Sequence, residues 1–534
     1  MKSTVDTEGI EYGQRRDSNL ALIARVKALH QRVVERSASE KAKFRARGQL
    51  LPRERLELLF DPGAECLELS HLAGYRMHDD DGEREVLGGA VIAQIGLVEG
   101  VRVMALASDS AIKGGATTPM GLRKYLRAQE IALENRLPII MLVEAAGGNL
   151  NYQSEIFVDG GRRFFNQAKL SAAGIPQIAV VLGSSTAGGA YIPGMSDYAV
   201  MVRKKAKIFL AGPPLLRAAT GEVADDEELG GADMHASKTG TAEFTVDDDA
   251  AAVALARTIV RNLAWPKATL SRDGVAPPQF SPDEILGVVP RDYRQAFDVR
   301  EVIIRLVDSS EFLEIKPLFG EYIVCGRGFV EGHPCGIIAN NGPIHADDAN
   351  KAAHFIQMCA QTRTPLVYLQ NTTGFMVGTE SEHDGIVKHG AKLIQAVSNA
   401  PVPSITFMIG ASFGAGNFGM CGRAYGPRFL FAWPNSRMAV MGGEQAAAVL
   451  QIVAEQKAAR SGRVVDSDWL SDMRKRTIER INAESDVLYT TARVWDDGII
   501  DPRDTRRILG FCLRVCHDAN QVHLQPSTFG VARF

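Results

Sequence analysis

The chain has 534 residues, 46% of them hydrophobic and 23% charged, which is the composition of an ordinary globular protein long enough for two domains. Its formal net charge of −3 gives no reason to expect nucleic acid or a strongly anionic membrane as a partner. Seven cysteines, an odd number without a CxxC pair, read as reduced thiols in a cytosol-like compartment.

The first residues, MKSTVDTEGIEYG, lack an apolar signal core and carry acids early. They predict no secretory or transit peptide and a cytoplasmic protein, or a matrix protein if the source has mitochondria. From about Arg15 to Arg47 the spacing predicts an exposed helix pair with a solvated charged face. Asp79–Asp81 reads as an acidic loop. Short apolar runs then alternate with helix-like stretches, at Val86–Val98, Arg102–Ala107, Pro138–Val143, Gln177–Leu182 and Lys207–Leu210. The rhythm returns at Gly328–Val330, Gly336–Ala339, Pro365–Leu369, Pro403–Ile409 and Arg437–Met441. Alternating strands and helices predict an α/β fold. Between the halves, Trp265–Asp292 holds five prolines and few long apolar runs, the composition of a linker. The predicted domains are therefore 1–275 and 276–534, with the boundary near Pro277–Pro278. From Ser467 onward, charges at helical spacing predict a helical end to the second domain.

The uncharged runs Gly174–Ser196 and Asn399–Gly422 are broken by proline and glycine, so they read as buried strand and turn rather than as membrane spans. Cys512, Cys516 and His517 lie close together, but their spacing favours helix packing over a metal site. No Walker A sequence, HExxH or EF-hand loop occurs, and no metal is expected.

The two halves share an ordered pattern. Gly115 and Gly342, Gly147 and Gly374, Pro176 and Pro403, and Gly183 and Gly410 are each 227 residues apart. The best-matched stretches, IPQIAVVLGSSTAGGAY and VPSITFMIGASFGAGNF, each read as an apolar strand, a small-residue turn and a helix start. Three chemistries fit such turns. Gly414–Gly419 matches G-x-G-x-x-G, but the acid that should hold a ribose is missing, since the next one is Glu444. Gly410–Gly414 matches the G-x-S-x-G of a nucleophile elbow, but only His517 and His523 follow, so Ser412 reads as a small turn residue. The third reading covers both turns: glycine lets a carbonyl group approach closely, and the unpaired N–H groups of a helix start stabilise an oxyanion. Two such holes suit a reaction with two oxygens to polarise.

STAGGAYIPGMSD, FLAGPPLLRAATGE with ELGGADMH, NTTGFMVG, KHGAKLIQAV, and FGAGNFGMCGRAYGPRF with WPNSRMAVMGGEQAA resemble the carboxyltransferase β subunits of biotin-dependent acyl-CoA carboxylases. The likeness runs from about Arg53 to Gly498 and is greatest for the 3-methylcrotonyl-CoA and geranyl-CoA branch. It implies two tandem crotonase-like domains related by internal duplication, the first on the acyl-CoA side and the second on the biotin side. It implies that Gly188 and Gly189 bind the thioester oxygen of a coenzyme A substrate and stabilise its enolate or dienolate. Ala415 and Gly416, at matching positions, would hold the ureido oxygen of carboxybiotin. Ala187, Tyr191, Gly147, His345, Phe375 and Phe418 would line the substrate pockets.

The chain carries neither an Ala/Val-Met-Lys-Met biotinylation sequence nor a recognisable biotin carboxylase segment. The resemblance therefore implies an α subunit that brings the biotin, and a β6 core within an α6β6 complex. The methylcrotonyl type usually reads Asn-Asn-Gly-Val-Leu-Phe where this chain has Asn340–His345, and it differs again at Tyr152–Glu155. His345 in place of a large Phe favours a longer, geranyl-like branched enoyl-CoA over 3-methylcrotonyl-CoA, by a few kcal/mol at most. The rivals are a biotin-independent crotonase-type hydratase or hydrolase, with Glu144 as its best candidate base, and a non-catalytic scaffold.

Overall fold

The structure is a computed structural model, describing residues 2–78, 86–270, 274–462, 464–526 and 529–532. The acidic loop expected at Asp79–Asp81 lies outside the described residues. The N-terminal helix pair is present as Ile10–Ala38 and Lys41–Ala46. Two compact units divide the chain. One comprises 28–270, 492–494 and 514–534; the other comprises 1–27, 271–491 and 495–513. The units therefore do not follow a single cut at 275/276, because each takes in a segment from the far end of the chain.

The first unit is built on an eight-stranded sheet. Its strands are β1 (Leu67–Leu69), β2 (Val91–Val98), β3 (Val101–Ser108), β4 (Ile139–Ala145), β5 (Gln177–Thr186), β6 (Tyr198–Val202), β7 (Lys207–Phe209) and β8 (Phe244–Val246). They run in the order β1-β2-β3-β4-β5-β6-β8, with β7 also pairing β5. The second unit has a seven-stranded sheet. Its strands are β9 (Leu313–Ile315), β10 (Ile323–Val330), β11 (His333–Asn340), β12 (Leu366–Thr372), β13 (Ser404–Phe413), β14 (Phe429–Ala432) and β15 (Arg437–Ala439). Here β14-β13-β12-β11-β10-β9 is the order and β15 pairs β13.

Sequence explains the strands that were expected. β4 and β13 are buried along their whole length, as parallel strands covered on both faces must be, so they appear as unbroken apolar runs rather than alternating ones. Helices Pro119–Glu134 and Ala346–Gln361 make the crossovers from β3 to β4 and from β11 to β12. Expected strand Val86–Val98 is shorter than read: Leu87–Ala90 is a helical turn, and Gly88 and Gly89 both have positive φ. The short strands β1, β6, β8, β9 and β14 escaped the sequence reading, because three to five residues carry too little periodicity.

The duplication is visible in the registers. Ile139 pairs with Gln177 as Leu366 pairs with Ser404, and Ala145 with Ser185 as Thr372 with Ser412. Both ladders slip at the same place, between Val143 and Ala145 in one and between Gln370 and Thr372 in the other. Each unit also opens on a hairpin whose two turn residues have positive φ, Glu99–Gly100 and Glu331–Gly332. In each, one aspartate accepts both turn N–H groups: Asp61 at 2.8 and 2.8 Å, and Asp308 at 2.9 and 2.8 Å.

Candidate active site

In each unit the matched residues gather at the carboxyl ends of three central strands, where open α/β sheets bind ligands. In the first unit these are the loops after β3, β4 and β5. The N–H of Thr117 donates to the Gly147 carbonyl at 2.8 Å, tying the first loop to the second. In the second unit the N–H of Ile344 donates to the Gly374 carbonyl at 2.9 Å.

The turn after β5 is entered through Ala187 at φ 51°, and the turn after β13 through Gly414 at φ 53°. A left-handed residue at the end of a strand redirects the chain sharply into the helical segments 187–190 and 414–419. The two positions are 227 residues apart, so both units use one backbone path. Ala187 adopts it at a steric cost that Gly414 avoids.

Close approach explains the glycines that follow. A Cβ on Gly189 would stand 3.1 Å from Ala145 Cβ, and one on Gly416 would stand 2.9 Å from Gly374 Cα. Gly147, at φ 85°, faces Ala187, whose Cβ would lie 3.7 Å from a Cβ there. Ala187 and Ala415 are exposed, so a ligand oxygen can reach either turn past nothing larger than a methyl group. At the first of these turns aromatic rings gather, with the buried Arg163 guanidinium 4.8 Å from the Phe164 ring. Phe164 lies under Gly188, 3.7 Å from where its Cβ would be, and meets the half-exposed Tyr191 edge-on at 5.7 Å. Phe164 was not anticipated from sequence; its helix, Gln153–Ala172, shows no feature that points it at the turn.

The remaining candidates of the second unit separate into distinct contacts. Phe375 packs against Gly390 and Gly419 at the edge of the core. Phe418 is exposed and lies 5.6 Å from the Tyr425 ring. His345 is the residue before helix Ala346–Gln361 and stacks on Tyr322 at 4.8 Å. Its Nε2 is buried without a partner. Its backbone N–H donates to Asp348 at 2.8 Å, and burial raises the Asp348 carboxyl even though three backbone N–H groups hold it. The equivalent position in the first unit is Thr118, whose hydroxyl caps helix Pro119–Glu134 by accepting the Gly121 N–H.

The structure gives the rival chemistries little to use. Ser412 is wholly buried between Gln370 and Asn417, with no histidine beside it. Glu144 is held by the buried Arg55, whose Nη1 donates to it at 3.1 Å while Asp249 takes the same guanidinium at 2.9 Å. A carboxylate committed to a buried ion pair is a poor general base. Among the described residues no helix is long and apolar enough to cross a membrane, and no disulfide joins the cysteines.

Similar proteins can be set beside this geometry. The carboxyl transferase domain family model matches residues 43–531. A probable biotin-dependent acyl-coenzyme A carboxylase β2 subunit of Mycobacterium tuberculosis is 50% identical over 91% of each chain. The probable mitochondrial methylcrotonoyl-CoA carboxylase β chain of Drosophila melanogaster is 45% identical over 100% of this chain and 95% of its own. The crystal structure of the geranyl-CoA carboxylase β subunit of P. aeruginosa superposes with a TM-score of 0.93 at 53% identity, each chain fully covered. The expected lack of a transit peptide is not borne out, since a relative that aligns along the whole chain is named mitochondrial. The chain belongs to the carboxyl transferase domain family and, within it, to the β subunits of biotin-dependent acyl-CoA carboxylases of the methylcrotonyl-CoA and geranyl-CoA branch.

Proposed function

We propose that this chain moves a carboxyl group from carboxybiotin, carried by a partner α subunit, to the dienolate of a branched, geranyl-like enoyl-CoA. Carboxybiotin supplies the activated carboxyl group. The backbone N–H groups at Gly188 and Gly189 would hold the thioester oxygen and stabilise the negative charge it gains as the substrate's proton passes to the biotin from which the carboxyl group has departed. Ala187, Gly147 and Tyr191 shape the mouth of that turn. Ala415 and Gly416 offer the second pair of N–H groups to the ureido oxygen, with Phe418 in the same helical segment and Phe375 and His345 on loops of the same unit.

The observation that carries the reading is the matched pair of turns, each entered by a left-handed residue and each followed by a glycine that a side chain would jam. The longer acyl chain is supported by the 53% identity to a geranyl-CoA carboxylase β subunit, against 45% to a methylcrotonoyl-CoA carboxylase β chain. We infer self-association as the β core of the complex, a β6 assembly by the family resemblance. Large apolar side chains left exposed on and beside helix Gln153–Ala172, namely Leu150, Phe157 and Val158, support it. A reducing compartment, cytoplasm or mitochondrial matrix, suits thiols that form no disulfide.

The test mixes the chain with its biotin-carrying partner and acyl-CoAs of graded length and branching, then measures carboxylated product. Geranyl-like substrates should turn over fastest; preference for 3-methylcrotonyl-CoA would install that shorter substrate instead. Exclusive use of short straight chains overturns the branched-enoyl assignment. Gly188→Pro and Gly416→Pro should each cut kcat by about 10²-fold or more with assembly intact. Activity retained in both would overturn the two-hole mechanism.

A further inference from the structure

The two turns follow one backbone path but are anchored differently. Beneath the turn after β13 runs a chain of buried side chains. Asn417 Nδ2 donates to Ser412 Oγ at 2.7 Å, Ser412 Oγ donates to Gln370 Oε1 at 2.5 Å, and Gln370 Nε2 donates to the Met420 carbonyl at 2.7 Å. Gln370 and Ser412 are fully buried and Asn417 nearly so. The path starts inside the helical segment Gly414–Gly419, crosses β13 and β12, and returns to the carbonyl just past the segment's end. The backbone closes the same unit: Met420 N–H donates to the Gly416 carbonyl at 3.0 Å and Gly422 N–H to the Asn417 carbonyl at 2.8 Å. A Cβ on Gly422 would stand 1.9 Å from Asn417 Oδ1, so glycine there leaves room for the Asn417 side chain in its relay position.

At the positions 227 residues earlier the first unit has Val143, Ser185, Ala190 and Pro193. Of these only Ser185 can bond through its side chain, and it donates to the Gly189 carbonyl at 2.8 Å, within its own turn. The apolar Val143 and Ala190 could not relay a hydrogen bond. One unit therefore grips its turn by a relay through two strands, while in the other Ser185 bonds within the turn and Gln167 Nε2, from helix Gln153–Ala172, donates to the Ile192 carbonyl just beyond it at 2.8 Å. Two side-chain amides buried where the other copy has Val143 and Ala190 would be a liability unless each is satisfied, and here the relay links both through Ser412.

We infer that Gln370, Ser412 and Asn417 are positioning residues for the turn at Ala415 and Gly416, holding its N–H groups in fixed register for the biotin-side oxygen. This rests on the two-hole reading above. Oxyanion donors lose their effect when displaced by a fraction of an ångström, and a relay from both flanking strands resists such displacement. The acyl-side turn lacks this relay and is packed instead by Phe164 and Tyr191.

The experiment uses the full chain and runs the transfer in reverse, from the carboxylated acyl-CoA to free biotin, scoring kcat and the KM of each substrate. The dissociation constant of the uncarboxylated acyl-CoA is measured on the same preparations as a report on the first unit's turn alone. Variants are Asn417→Ala, Gln370→Met, and the pair Gln370→Val with Asn417→Ala, which recreates residues that the first unit folds with. Each should lower kcat for transfer to biotin about tenfold or more, leave the acyl-CoA KM within about twofold, and leave the acyl-CoA dissociation constant unchanged. Combining Asn417→Ala with Ser412→Ala should cost no more than the worse single change, since they interrupt one relay. Wild-type kcat in the single variants, additive losses, or weakened acyl-CoA binding together with lost transfer would each overturn the inference. If the wild-type chain binds the acyl-CoA but transfers nothing to or from biotin, the two-hole function itself fails.

Discussion

Gly188 and Ala415 are equivalent positions, and so are Gly189 and Gly416. The space around them sorts their tolerance to change. A Cβ at Gly188 meets only the Phe164 ring at 3.7 Å, and the second unit already carries alanine there. Gly188→Ala should therefore fold normally and keep most of its carboxylation, as steady-state kinetics would show. Gly416→Ala must push against the Gly374 backbone at 2.9 Å, which has no flexible end to give. It should lose about tenfold or more in kcat and melt at lower temperature. Asp496 makes a pH prediction at the same scale. Full burial, with the neighbouring Asp497 adding to it, raises this carboxyl to about 7. Because the folded-state value lies above that of an unfolded aspartate, its contribution to stability is complete at low pH and is lost as pH rises from about 4 to 7. The loss can reach about 4 kcal/mol. Asp496→Asn should flatten that limb in denaturant titrations at stepped pH; an unchanged slope would show that Asp496 is ionised in the fold.

Helix Pro52–Leu59, strand β4 and helix Asp249–Arg261 are clamped by one guanidinium: Arg55 is 1% exposed and bridges Glu144 and Asp249. Removing it strands two buried carboxylates, so Arg55→Leu should cost about 3–5 kcal/mol by urea unfolding. Glu144→Gln separates the rival chemistries, because Arg55 keeps Asp249 as its counter-ion. Carboxylation should stay within about threefold of the parent once stability is matched, whereas a hydratase using Glu144 as base would lose about 10²-fold or more. Among the elements, the long parallel strands were legible because burial on both faces writes itself as an apolar run. Glu144 was misleading for the complementary reason. A lone acid at a strand end has the sequence signature of a base, and only residues 89 and 105 positions away in the chain reveal that it is paired. Ser412, read as a small turn residue, stands in β13 just before the turn, and its partner Gln370, in the neighbouring strand, has no sequence signature at all.

The whole molecule leaves apolar side chains uncovered in both units, Phe157 and Val158 in one and Ile452, Val453 and Trp469 in the other. Such surfaces are normally covered in a functional assembly. Phe157→Glu with Val158→Glu should shift the chain to a smaller species in sedimentation velocity and lower carboxylation in parallel; an unchanged sedimentation coefficient would remove that face from the interface. What the sequence determined by itself was the α/β class, the doubled strand–turn unit and the position of both turns. These are local properties: an apolar run, a glycine where φ must be positive or backbones must approach closely, and a 227-residue displacement unbroken by insertions between Gly115 and Gly183. What only tertiary structure decided was how the ends of the chain are shared between the two units, the matching of the hairpin turns at Glu99–Gly100 and Glu331–Gly332, and the unequal anchoring of the turns. Each of these depends on contacts between residues far apart in the chain, or on a displacement that insertions have changed from 227, and neither leaves a periodic trace in the residues themselves.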